Sequence, residues 1–101
     1  MTGTKRSFGI VGLGRMGGGL ALQAMENGFR VAGLTQGAPA AELLAGGLVK
    51  TPSFEALRDA LPERPRVIFL YVPAGPPVDE VLDRLGTTLD AGDVVADGGN
   101  S

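Results

Sequence analysis

The chain has 101 residues, 44% of them hydrophobic, and a formal net charge of −2 at pH 7, which suits one packed domain and excludes a disordered segment. That charge, with a pI near 4.9, gives no electrostatic footprint for nucleic acid or for an anionic membrane surface. Cysteine and histidine are both absent, which removes disulfides, thiolate chemistry, the commonest metal ligand and the commonest general base; no metal site is expected.

The opening residues place Lys5 and Arg6 before an apolar stretch, superficially like a signal peptide. Gly12, Gly14 and Gly17 soon break that stretch, and no small-residue cleavage pattern follows. No apolar run approaches the ~20 residues of a membrane span, so a soluble, cytoplasmic protein is expected. Residues 8–13 read as a first strand buried on both faces. Over residues 14–27, Met16, Leu20, Ala21, Ala24 and Met25 recur at helical spacing, and Asn27-Gly28 supplies a stop. Residues 29–34 read as a second strand, 40–45 as a short helix ending at Gly46-Gly47, and 48–50 as a short third strand.

Ser53 is placed to cap a helix over residues 54–61. Residues 66–72 form the clearest strand of the chain. Residues 73–77 read as a rigid proline loop, followed by a helix marked by Val78, Val81, Leu82 and Leu85 and closed by Gly86. Residues 94–96 are a last strand, with a turn over 97–101. There is no internal repeat or linker. Strands alternating with helices predict a Rossmann-type doubly wound parallel sheet of the α/β class, in three layers and a single domain over residues 1–101. Against the usual strand order 3-2-1-4-5-6, the sheet is expected to stop before its last strand, leaving an edge exposed.

In open parallel sheets the ligand crevice lies at the carboxyl ends of the strands, where three loops are expected to meet. The first holds Gly12, Leu13, Gly14, Arg15, Met16 and Gly17. A lone GxGxxG means little in a chain with 17 glycines; here a strand precedes it and a helix follows, inside a unit of about 30 residues. The glycines serve a tight turn, close approach of a pyrophosphate and close helix packing, while the helix N-terminus offers N–H groups to phosphate. Gly18 and Gly19 extend the run at a cost of about 0.5–1 kcal/mol each relative to alanine. They imply either unusually close packing or a weak element.

At the end of the second strand, where an acid selects NAD and an arginine NADP, stand Thr35 and Gln36, followed by Gly37. Neither residue repels a 2′-phosphate and neither strongly attracts one, which leaves NADP or NAD open with a slight preference for NADP. A solvated turn is the bland alternative. Val72, Pro73, Ala74 and Gly75 form a small loop suited to van der Waals contact with a flat ring or ribose. In the last turn two glycines admit close backbone approach, and Asn100 offers both a donor and an acceptor. Alone, either loop could be ordinary turn chemistry.

Taken together, GLGRMG at 12–17, VPAG at 72–75 and DGGNS at 97–101 resemble the NAD(P)-binding domain of decarboxylating 6-phosphogluconate dehydrogenases, within the β-hydroxyacid dehydrogenase superfamily. The resemblance covers essentially the whole chain, and DGGNS is its specific part, because 3-hydroxyisobutyrate-type relatives usually carry a serine- and threonine-rich turn there. It implies oxidation of 6-phosphogluconate with NADP or NAD and loss of carbon dioxide to give ribulose 5-phosphate. It further implies that residues 12–17 bind the cofactor pyrophosphate and that Thr35, Gln36 and Gly37 contact the adenosine ribose and any 2′-phosphate. Val72, Pro73 and Ala74 would line the cofactor, Asn100 would touch cofactor and substrate, and Ser101 would belong to the same substrate motif. NADP-using members commonly carry Asn-Arg at the positions of Thr35 and Gln36, so the departure bears on cofactor preference.

The family's catalytic lysine and glutamate lie downstream, in a helical domain outside these residues that also holds most of its dimer contacts. Only Lys5 and Lys50 are present here, so no catalytic residue is expected in the chain and the chain alone is expected to be inactive. The full enzyme would be a homodimer acting on 6-phosphogluconate, without nucleic acid or membrane partners. The alternatives are a dehydrogenase of a smaller 3-hydroxy acid and a non-catalytic Rossmann-fold regulatory or interaction module.

Overall fold

A computed structural model describes residues 6–13, 15–35, 41–61, 66–71, 76–89 and 92–97. Among the described residues five strands and four helices alternate: β1 (Ser7–Val11), α1 (Arg15–Glu26), β2 (Arg30–Leu34), α2 (Ala41–Ala45), β3 (Val49–Lys50), α3 (Phe54–Asp59), β4 (Val67–Leu70), α4 (Pro76–Thr88) and β5 (Val94–Asp97). The strands form one parallel sheet in the order β3-β2-β1-β4-β5, the doubly wound arrangement expected from the alternation.

The sheet is buried on both faces because its strands carry aliphatic residues at successive positions. On one face Phe8, Ile10 and Val31 pack with Ala21 and Ala24 of α1 and Leu43 of α2. On the other, Val11, Ala32, Ile68 and Leu70 pack with Leu57 of α3 and Leu85 of α4. Three layers result. Coverage is uneven along the α1 side: Val67, Phe69 and Tyr71 are only partly buried there, and Val94, paired with Val67, is 47% exposed. Phe8 holds this side together by edge-to-face contacts with Phe29 at 5.7 Å and Phe69 at 5.3 Å between ring centroids.

The helix ends follow local chemistry. Gly28 adopts φ +90°, and the Phe29 and Gly28 N–H groups donate to the Ala24 and Met25 carbonyls, a Schellman closure that stops α1. Ser53 caps α3 as expected, its Oγ accepting the Ala56 N–H at 3.1 Å. Four expectations need correction. Pro76 and Pro77 belong to the first turn of α4, where a missing N–H costs nothing, and are not part of a loop. Gly86 does not close α4, which runs on to Thr88. Phe29 stands before β2, in the helix closure. Asp97 completes β5 and does not open the turn.

At the amino ends of β4 and β5 lies a buried ion pair. Arg66 Nη1 meets Asp93 Oδ2 at 3.1 Å, and the Asp93 side chain is only 2% exposed. Asp93 Oδ1 also accepts the Arg66 N–H, while Arg66 Nε donates to the Arg58 and Leu61 carbonyls. One guanidinium thus joins the exit of α3 to the entrances of two strands. Such a pair adds little over an apolar substitute, but losing one partner strands the other charge. Asp93→Ala is expected to lower stability by about 3–5 kcal/mol in urea unfolding. Gly19 faces open space, with nothing within 4 Å of an added Cβ, so Gly19→Ala should raise stability by about 0.5–1 kcal/mol in the same measurement.

Candidate functional site

Leu34, Val11, Leu70 and Asp97 stand in register across β2, β1, β4 and β5. Because all the strands run parallel, this row is the carboxyl edge of the sheet. Each of the segments singled out in the sequence starts within two residues of it. The edge is extended by backbone bonds one residue further: the Gly12 N–H donates to the Leu34 carbonyl at 2.8 Å, and the Tyr71 N–H to the Val11 carbonyl at 2.8 Å.

Gly12 ends β1 with φ +96°, a conformation that a side chain would strain. The chain then enters α1 at Arg15, and Gly17 is buried against the turn it has just left. A Cβ on Gly17 would collide with the Gly12 carbonyl oxygen and stand 3.2 Å from Tyr71 Cβ. Glycine at 17 therefore lets the first turn of α1 rest directly on the end of β1. That turn holds no acidic residue to offset the positive end of the helix dipole, and the first N–H groups of a helix have no partner within it. An anion at this edge would meet backbone donors and a favourable field. Met16 is 57% exposed beside it, not packed in the core as its helical spacing suggested.

Thr35 follows β2 directly, and its Oγ1 accepts the Leu13 N–H at 3.4 Å. Gly12, Leu13, Met16, Gly17 and Thr35 thus come together at one end of β1 and β2, with Arg15 opening α1. Gly14, Gln36, Gly37, Val72, Pro73, Ala74, Asn100 and Ser101 lie outside the described residues. Lys50 ends β3 at the far edge of the sheet, two strands from β1. Gly18 is resolved as ordinary packing, since a Cβ there would find Leu13 O at 3.4 Å and Leu43 Cδ1 at 3.5 Å. Sequence reasoning missed Tyr71, whose backbone and Cβ both border the turn. Its signal was its place one residue past the last rung of β4. Among the described residues no group of acidic residues could hold a metal ion, and no helix is long and apolar enough to cross a membrane.

A glycine turn between a parallel strand and a helix, at the carboxyl edge of a doubly wound sheet, defines a dinucleotide-binding α/β domain. A family model, that of the NAD binding domain of 6-phosphogluconate dehydrogenase, matches residues 7–101, and the chain belongs to that family. It is 41% identical to a decarboxylating 6-phosphogluconate dehydrogenase of Bacillus licheniformis over 102 residues, covering 96% of this chain and 22% of that protein. It is also 41% identical to an NAD(+)-dependent, decarboxylating 6-phosphogluconate dehydrogenase of Bacillus subtilis, over 94% of this chain and 21% of that protein. Among solved structures, Plasmodium falciparum 6-phosphogluconate dehydrogenase superposes with a TM-score of 0.78 at 27% identity, over 94% of this chain and 22% of that one. The chain therefore spans about a fifth of the length of these relatives.

The contact between Gly17 and the Gly12 carbonyl can be tested without any ligand. Gly17→Ala is expected to cost about 1–3 kcal/mol of stability in urea unfolding, as overpacked substitutions do, because the group it meets is backbone and cannot rotate away.

Proposed function

We propose that the chain is the cofactor-binding domain, over residues 1–101, of an enzyme that oxidises 6-phosphogluconate with NADP or NAD and decarboxylates it to ribulose 5-phosphate. The observation that carries this reading is the close approach of Gly17 to the Gly12 carbonyl at the N-terminal end of α1, whose first turn holds no acidic residue, in a chain of this family. The residues present fit a dinucleotide diphosphate, since glycine at 17 lets the N-terminus of α1 rest against the turn and present its N–H groups there. Residues 12–17 would hold the diphosphate through their N–H groups. Thr35, Gln36 and Gly37 would meet the adenosine ribose, Val72, Pro73 and Ala74 would line the cofactor, Asn100 would touch both cofactor and substrate, and Ser101 the substrate.

When bound, the nicotinamide supplies the hydride acceptor. Hydride loss from an alcohol also needs a base for the hydroxyl proton. Lys50 stands at the wrong edge of the sheet for that task. The chemistry is therefore assigned to a helical domain in the remaining four fifths of a full-length enzyme, a cytoplasmic homodimer with no nucleic-acid or membrane partner. The NAD(+)-dependent Bacillus subtilis relative and the NADP+ complex of the Plasmodium falciparum enzyme show both cofactors in use among similar proteins. With no carboxylate at Thr35 or Gln36, a slight preference for NADP is expected here.

Calorimetric titration with NADP and NAD side by side should give saturable binding of both, and Gly14→Val should abolish it by filling the approach to the diphosphate. A folded sample that binds neither would overturn the reading. Fused to the remainder of the Bacillus licheniformis enzyme, the chain should support cofactor reduction and carbon dioxide release from 6-phosphogluconate. A folded, cofactor-binding fusion inert towards that substrate would overturn the substrate assignment.

A further inference from the structure

The residue after β2 is ordinarily discussed as the one that reads the adenosine ribose. The geometry points to a different task for its hydroxyl oxygen here, which leaves the rest of the side chain to border the ribose. We infer that Thr35 is a positioning residue for the glycine turn, its hydroxyl oxygen holding the Leu13 N–H so that the turn keeps one shape for NAD and NADP alike. This deepens the function proposed above and rests on it.

β1 and β2 pair from Ser7 with Arg30 to Val11 with Leu34, and the Gly12 N–H adds one further rung to the Leu34 carbonyl. Beyond Gly12 the ladder ends, and the next donor is satisfied by a side chain. The Leu13 N–H goes to Thr35 Oγ1 at 3.4 Å, a long bond, but one made where Leu13 is only 8% exposed and an unpaired N–H would be costly.

The rest of Leu13 is pinned by sterics. Gly33 lies in β2 two residues before Thr35, and a Cβ there would sit 2.7 Å from Leu13 Cδ1 and 3.3 Å from Leu48 Cδ1. The missing side chain at 33 is the notch that receives Leu13. On its other side, the Leu13 carbonyl oxygen lies 3.4 Å from where a Gly18 Cβ would stand. Leu13 is thus held by β2 through a notch and a hydroxyl, with α1 packed beside it. It sits between Gly12, which turns the chain, and residue 14, the glycine assigned to the diphosphate. A shift at Leu13 is passed to both neighbours.

The two tasks predict different binding behaviour. A residue that reads the ribose distinguishes a 2′-hydroxyl from a 2′-phosphate, so its loss changes the ratio of the two affinities. A residue that holds the turn acts on the diphosphate common to both cofactors, so its loss weakens both by one factor.

The test uses Thr35→Val, which keeps the shape and removes the oxygen, and Thr35→Ser, which keeps the oxygen. NADP and NAD affinities are measured by calorimetry well below the unfolding transition. Amide hydrogen exchange of Leu13 is read relative to that of Ile10 in the sheet centre, so that any global loosening cancels. Thr35→Val should weaken both cofactors by about three- to tenfold with their ratio unchanged, as expected for one hydrogen bond, and should speed Leu13 exchange relative to Ile10. Thr35→Ser should restore both properties. A Thr35→Val variant that changes the NADP to NAD ratio, or leaves Leu13 exchange unchanged, would overturn the inference. So would one that only lowers the unfolding midpoint while the folded protein binds as before. Wild-type protein that binds neither cofactor would overturn the function above instead, and the exchange arm would still decide whether Thr35 holds the turn.

Discussion

The first turn of α1 rests on the turn that follows β1, where Gly17 meets the Gly12 carbonyl, and the rest of the α1 face is built to that spacing. Gly17, Ala21 and Ala24 follow one another at helical intervals along the buried side of α1. A stripe of small residues keeps the helix axis near the sheet for about two turns, within reach of Phe8, Ile10 and Val31. The closure at Gly28 then returns the chain to the start of β2 opposite Ser7. A larger side chain at the first of these positions would lift the helix at the end where its dipole has to reach a ligand. Packing and function therefore impose the same requirement on residue 17.

The carboxyl edge of the sheet gathers its parts because strands that run parallel and in register end together. Val11, Leu34, Leu70 and Asp97 form a level row, which brings chain segments far apart in sequence to one side of the molecule. Parallel topology alone accomplishes this. Among the described residues the edge offers backbone N–H groups and the Thr35 hydroxyl. Backbone donors of this kind suit an anionic ligand held by many weak contacts.

Much of this was legible in the sequence. The apolar runs of β1, β2 and β4, the Asn27-Gly28 stop and the Ser53 cap each have a local cause, and local causes leave local traces. The position of Gly17 was readable for the same reason. The course of α4 was not, because prolines signal a loop everywhere except in the first turn of a helix, and Gly86 signals a stop only where tertiary packing does not carry the helix past it. Leu85 is buried just before it and Thr88 is buried after it, which keeps the element going. The Arg66–Asp93 pair left no trace either, since 26 intervening residues separate two unremarkable charges that only the fold brings together. Thr35 was read for a ligand, while its neighbour in space, the Leu13 N–H, was invisible to any count along the chain.

The two ends of β4 have unrelated duties. From Arg66 to Leu70 the strand advances by four steps of ~3.3 Å, so the buried ion pair stands roughly 13 Å from the edge that faces a ligand. Perturbations separated by more than about 7–10 Å usually combine as simple sums. A substitution at the carboxyl edge should therefore leave the Arg66–Asp93 pair undisturbed, and the guanidinium at the opposite pole keeps the exit of α3 and the entrances of β4 and β5 clasped. The clasp at one pole and the ligand edge at the other are thus separate mechanical units of a single sheet.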